Sequence, residues 1–260
     1  FNLAVAYEHK GMAEEALEAY RKVLGMDPQF RNVRNNMGLL YLKQGRPQEA
    51  VAALEEEIAL NPNAAEAHQS LGVIYATGGR RDVAIQEFRA AIQAKPTYAQ
   101  AHANLAHMYV EEGNLEAAIT EYQRALELKP NMPTVHSALA DVLARAGEMD
   151  RAISEYKKAL ELDESLAETH NNLGTLYSQQ RQFDEAIKEY ERALELKPDY
   201  LNVRLNLGAT YEMRGRPDLA VDHYLKVLEK APGSVMAYAF LGRAYAAMGK
   251  KDEAIRSYEA

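Results

Sequence analysis

The chain has 260 residues, 47% hydrophobic and 26% charged, a balance that excludes a disordered segment. No run approaches the roughly 18 apolar residues of a membrane span, and the absence of cysteine excludes disulfides, thiolate metal sites and a cysteine nucleophile. Thirty Lys and Arg against 38 Asp and Glu leave an evenly spread net charge of −8, which argues against a nucleic-acid ligand.

Along the chain, one pattern recurs every 34 residues. Residues 1–30 carry Ala4, Tyr7, Gly11, Ala16, Tyr20 and Pro28, and the next unit repeats the set as Gly38, Tyr41, Gly45, Ala50, Leu54 and Pro62. The alanine column continues unbroken through Ala84, Ala118, Ala152, Ala186, Ala220 and Ala254. The second aromatic column continues as Phe88, Tyr122, Tyr156, Tyr190, Tyr224 and Tyr258. Full units are expected at 31–64, 65–98, 99–132, 133–166, 167–200 and 201–234, with partial ones at 1–30 and 235–260, all in a single array over 1–260.

Within one unit, Val33, Met37, Leu40 and Tyr41 fall at helical spacing and predict a first helix over Asn32 to Lys43 with one buried stripe. Gly45 suits the left-handed backbone that ends a helix, a place held by glycine in every unit but the sixth, where Arg181 stands. Pro47 and Pro217 open second helices, where the missing N–H costs nothing. Ala50, Val51, Leu54 and Ile58 form the second stripe, and Asn61 and Pro62 stop it. The small column and the alanine column are expected to meet, with the Tyr and Phe rings filling space between neighbouring pairs. No pair buries its stripes alone, so neighbours must cover them.

These columns resemble the tetratricopeptide repeat over the whole chain. The resemblance implies an all-α, right-handed superhelix of about eight antiparallel helix pairs, with the first helices lining a concave surface. His-Ala-Asn-Leu-Ala (His102 to Ala106) and His-Asn-Asn-Leu-Gly (His170 to Gly174) are similar to units in the repeat arm of protein O-GlcNAc transferases and to units in bacterial scaffold proteins of this family. The chain starts inside a first helix at Phe1 and stops inside a second at Ala260, which is expected of a piece of a longer protein. Lack of cysteine fits cytoplasm and periplasm alike.

No nucleotide, metalloprotease or serine-hydrolase motif is present, so no catalytic residue and no cofactor are expected. His68, His102, His136 and His170 share one column, but equivalent places on stacked helices lie roughly 8–10 Å apart, too far for one ion to gather them. They read as packing residues, and no metal is expected.

Asn2, Asn36, Asn104, Asn172 and Asn206 share a mid-helix column in which asparagine is a mediocre helix former, with Asn35 and Asn171 beside it. The resemblance puts this column on the concave surface, where amides offer donor and acceptor to a peptide backbone. The expected site comprises Asn2, Asn35, Asn36, Asn104, Asn171, Asn172 and Asn206 with His107, Asp141 and Arg145. The lysine place of the family's carboxylate clamp holds no lysine, which argues against chaperone tails as ligands. The expected function is a scaffold or adaptor that binds a protein or peptide segment in the groove. Its rivals are the substrate-recruiting arm of a glycosyltransferase and a structural protein that forms homo-oligomers through its incomplete ends.

Overall fold

The computed structural model describes residues Phe1–Ala260 as sixteen helices and no strands. They form two compact units, Phe1–Pro130 and Asn131–Ala260. The first holds α1 (Asn2–His9), α2 (Ala13–Met26), α3 (Val33–Lys43), α4 (Pro47–Leu60), α5 (Ala65–Thr77), α6 (Arg81–Ala94), α7 (Ala99–Glu112) and α8 (Leu115–Leu128). The second holds α9 (Pro133–Arg145), α10 (Met149–Leu162), α11 (Ala167–Gln179), α12 (Phe183–Leu196), α13 (Leu201–Met213), α14 (Pro217–Lys230), α15 (Val235–Ala247) and α16 (Lys251–Glu259). Each unit is thus four antiparallel helix pairs, as the repeat predicts, and no helix is long and apolar enough to cross a membrane.

The turn inside each pair has one geometry. Gly45 sits at φ 71°, its N–H bonded to the Leu42 carbonyl at 3.0 Å, while the Arg46 N–H reaches the Tyr41 carbonyl at 2.9 Å. Arg181 takes the same left-handed conformation at φ 61°, with the matching bonds from Arg181 to Ser178 at 3.0 Å and from Gln182 to Tyr177 at 2.8 Å. The turn is therefore imposed by the two helices it joins, and glycine only makes it cheap.

Packing corrects one expectation. The ring column lies inside its own pair, over the small column: a Cβ built on Gly72 would meet the Phe88 ring at 2.5 Å, and one on Gly208 the Tyr224 ring at 2.5 Å. The alanine column contributes its backbone beside these rings, the Ala50 carbonyl lying 3.3 Å from a Cβ on Gly38. A flat ring needs a flat bed, so the small residue of the first helix is the seat of the second helix's aromatic. Ala16, Ala50, Ala84, Ala118, Ala152, Ala186 and Ala220 are wholly buried.

The histidine column does more than fill space. In His68, His102, His136 and His170, Nδ1 lies 2.6 Å from the carboxylate of Glu87, Glu121, Glu155 and Glu189 respectively, each on the second helix of the same pair. Nε2 of His68, His102 and His170 faces the carbonyl six residues earlier, at 3.1 to 3.2 Å. Arg34 and Arg204, which replace histidine in this column, bond the equivalent carbonyls of Pro28 and Pro198. The column's shared task is to satisfy a loop carbonyl between pairs.

Successive first helices touch within each unit, α3 with α5 and α5 with α7, then α9 with α11, α11 with α13 and α13 with α15. Successive second helices make no comparable contact. First helices therefore line the tighter, inner side of each unit.

Candidate ligand-binding surface

Seating the ring column over the small column sends its hydroxyls through the pair to the inner side, where they meet polar residues of the first helices. In the first unit, the Tyr20 hydroxyl donates to Glu8 Oε2 at 3.2 Å and accepts from Asn36 Nδ2 at 3.2 Å. Lys43 Nζ, from the next pair, holds the other Glu8 oxygen at 3.2 Å. In the second unit, the Tyr224 hydroxyl donates to Glu212 at 2.6 Å, and Arg243 Nε from the next pair holds the second Glu212 oxygen at 2.7 Å. Tyr190 donates to Thr175 at 3.1 Å, and Tyr156 donates to Asp141.

Asp141 is the meeting point of an amide chain. Asn206 Nδ2 on α13 donates to Asn171 Oδ1 on α11 at 3.3 Å, Asn171 Nδ2 to Asn172 Oδ1 at 3.0 Å, and Asn172 Nδ2 to Asp141 Oδ1 on α9 at 2.9 Å. Three pairs are joined by this one chain of bonds. Burial pushes the Asp141 carboxyl above the usual carboxylate range, against the opposing pull of Tyr156, Asn172 and Arg145. The Tyr156 hydroxyl is pushed up by burial and then by the charge of Asp141, which keeps it a firm donor. A cleft of about 470 Å³ opens over this cluster, lined in part by Arg145, Met149, Thr175, Leu176 and Gln179.

The expected site residues divide accordingly. Asp141, Arg145 and Asn172 are brought together at one cleft, with Asn171 and Asn206 joined to them through bonds. Asn36 bonds Tyr20 of the preceding pair, whereas Asn104 only accepts from Gln100, one turn earlier on its own helix, at 3.0 Å. His107 is exposed and lies 3.7 Å from Glu111. Asn2 is exposed at the start of α1. Asn35 is 7% exposed, and its side-chain oxygen meets no donor, so it lies under the surface and not on it. Each amide has two N–H donors and a carbonyl with two lone pairs, so Asn36, Asn104, Asn172 and Asn206 keep unused hydrogen-bonding capacity beside the bonds that orient them.

A stack of two-helix repeats presenting such a surface defines the α-solenoid class, whose members use an extended inner wall for binding. Models described as the tetratricopeptide repeat match residues 131–199 and 165–232, 35–99, 1–30 and 237–260, and one described as the TPR repeat matches 106–147. Only residues 31–34, 100–105 and 233–236 fall outside them, and the chain belongs to the tetratricopeptide repeat family. A comparison with curated proteins gives no match. Among solved structures, MamA is 28% identical over 60% of this chain and 91% of its own, with a TM-score of 0.58. YrrB, described as a TPR protein with an unusual peptide-binding site, is 22% identical over 71% of this chain and 95% of its own, with a TM-score of 0.62. The pilF protein of Pseudomonas aeruginosa is 22% identical over 84% of this chain and 99% of its own, with a TM-score of 0.72.

Proposed function

We propose that this chain is an interaction scaffold that holds an extended protein or peptide segment against the inner, first-helix side. Amides of Asn36, Asn104, Asn172 and Asn206 bond the backbone of the segment, and the polar and charged groups around them, Asp141 and Arg145 included, read its side chains. The carrying observation is that these amides share one place of the 34-residue repeat and keep unused donors and acceptors, Asn36 and Asn104 in the first unit, Asn172 and Asn206 in the second. The description of YrrB as peptide-binding supports the same reading. No group of three or more His, Cys, Asp or Glu side chains converges as a metal site would require, and the reading assigns no chemistry to these residues.

The test is calorimetric titration of peptides selected by display against the whole chain. Each amide bond contributes about 0.5–1.5 kcal/mol net, so replacing Asn104, Asn172 and Asn206 together by Ala is expected to weaken binding at least about tenfold. Helicity at the titration temperature stays unchanged. Asn104→Ala alone is the cleanest arm, because Asn104 bonds only within its own helix. Undiminished affinity in the triple variant overturns the reading.

A further inference from the structure

Three tyrosine hydroxyls hold a carboxylate on the inner side, and the three sites differ in one respect. At Glu8 the tyrosine takes one oxygen and Lys43 the other; at Glu212 the tyrosine takes one oxygen and Arg243 the other. At Asp141, Tyr156 and Asn172 both donate to the same oxygen, Oδ1, and no residue of the chain donates to Oδ2. The residue 31 positions after Glu212 is the cation Arg243, whereas the residue 31 positions after Asp141 is the neutral Asn172. Arg145, one turn along α9, lines the same cleft and acts on Asp141 through its charge, without a hydrogen bond to the carboxylate. Among these inner-side sites of the second-helix ring column, a tyrosine holds a carboxylate three times and a cation joins it twice. The third stands half-buried at an open cleft of about 470 Å³ with apolar Met149 and Leu176 in its walls.

We propose that this cleft receives a basic side chain of the bound segment, lysine or arginine, whose cation takes the open oxygen of Asp141 as Lys43 and Arg243 do at the other two sites. The aliphatic stem of such a side chain lies along Met149 and Leu176 while its charged end meets the carboxylate, the division of labour that long basic side chains favour. Charge-assisted bonds of this kind are roughly twice as strong as neutral ones. Burial that makes ionised Asp141 costly is relieved when a cation arrives, so the site discriminates against a neutral side chain of the same length. This inference rests on the reading of the inner side as a ligand surface, and it narrows that ligand to segments with a basic residue at one register.

The experiment is display selection of random dodecapeptides on the whole chain and on its Asp141→Asn variant, which keeps an acceptor for Tyr156. Lysine or arginine is expected at one fixed place among wild-type binders and not among binders of the variant. A selected peptide should lose at least tenfold in affinity against Asp141→Asn, and again when norleucine replaces its basic residue. Asn172→Lys, which supplies the missing cation from within, should block the same peptide, and Arg145→Ala should strengthen it by removing a like charge. Circular dichroism confirms that each variant is folded. Binders without a basic preference, or affinity unmoved by Asp141→Asn, overturn the inference and leave the scaffold reading standing. Weaker binding to Arg145→Ala with stronger binding to Asp141→Asn marks an acidic ligand and overturns it too. No binding peptide at all removes the scaffold reading, and the inference falls with it.

Discussion

Asn172 on α11 donates to Asp141 on α9 at 2.9 Å, joining two neighbouring helix pairs through an amide and a carboxylate. The same amide accepts from Asn171, which in turn accepts from Asn206 on α13. The residue type proposed above to meet a ligand is therefore also a fastener between repeats, and the two roles separate by position. Asn172→Ala removes a hydrogen bond to a charged group and is expected to cost about 1.5–3 kcal/mol of stability. Asn104→Ala, whose amide bonds only Gln100, should change it by less than about 0.5 kcal/mol. Urea denaturation of the two variants beside the wild type checks the contrast; equal effects would show that the bond chain does not fasten the pairs.

Arg181 carries the left-handed turn that glycine carries in the other seven pairs. A side chain in this region costs roughly 1–2 kcal/mol, and the added freedom of glycine in the unfolded chain returns part of the gain. Arg181→Gly is expected to raise stability by about 1 kcal/mol. No Cβ clash contributes at the equivalent glycines, which have nothing within 4 Å of the place a Cβ would take, so backbone strain alone is being relieved. A thermal midpoint unchanged or lowered in Arg181→Gly would count against this account.

The 34-residue period made the sixteen helices, their turns and their buried columns legible, because burial faces and turn residues recur wherever the backbone does. Pairings between columns were harder to see. The ring column read as filling, since Phe88 and Leu54 serve in it without a hydroxyl, yet Tyr156 and Tyr224 use theirs to hold Asp141 and Glu212. A signal for the histidine pairs was present: glutamate stands 19 places after each of His68, His102, His136 and His170, while Arg34, Arg204 and Tyr238 in that column face Ala53, His223 and Ser257 in the other. The two columns change together because the carboxylate is useful only where a ring nitrogen meets it. The bonds among Asn171, Asn172 and Asn206 depend on side-chain rotamers and on which pair lies beside which, and neither is written in one column.

Two histidines give the stability a pH dependence of opposite sign. His68 is held above its ordinary 6.5 by the hydrogen bond to Glu87, with burial opposing. Its folded value exceeds its unfolded one, so its contribution is complete below about 6.5 and is lost as pH rises through the folded value. His223 has a buried Nδ1 without a partner, and burial, then Lys226 and Arg204, drives it down to about 4. Its contribution is present above about 6.5 and is lost as pH falls through about 4. Denaturation midpoints between pH 3.5 and 8.5 should therefore show a shallower alkaline fall in His68→Gln and a shallower acid fall in His223→Phe, each relative to wild type. Parallel curves for wild type and either variant would remove that histidine from the balance.

Ala118 is wholly buried on α8, in the column whose backbone lies beside the ring-and-small-residue seat, here Tyr122 and Ala106. Nothing larger than alanine occupies this column in any pair, although valine, leucine and isoleucine are common one place later, at Leu17, Val51, Ile85, Ile119, Ile153, Ile187, Val221 and Ile255. The alanine column is buried with its backbone close to the small column of the partner helix, the Ala186 carbonyl lying 3.2 Å from a Cβ on Gly174, whereas Ile119 is only partly buried. Leucine at 118 therefore has no cavity to enter and must push α7 and α8 apart, unseating Tyr122. Overpacking of this kind costs about 1–3 kcal/mol, and Ala118→Leu is expected to lower the thermal midpoint accordingly, with Ile119→Leu, at the neighbouring position of similar volume, costing less than about 1.5 kcal/mol. Equal melting of the two variants would mean that the closest approach of the pair lies elsewhere than at the alanine column.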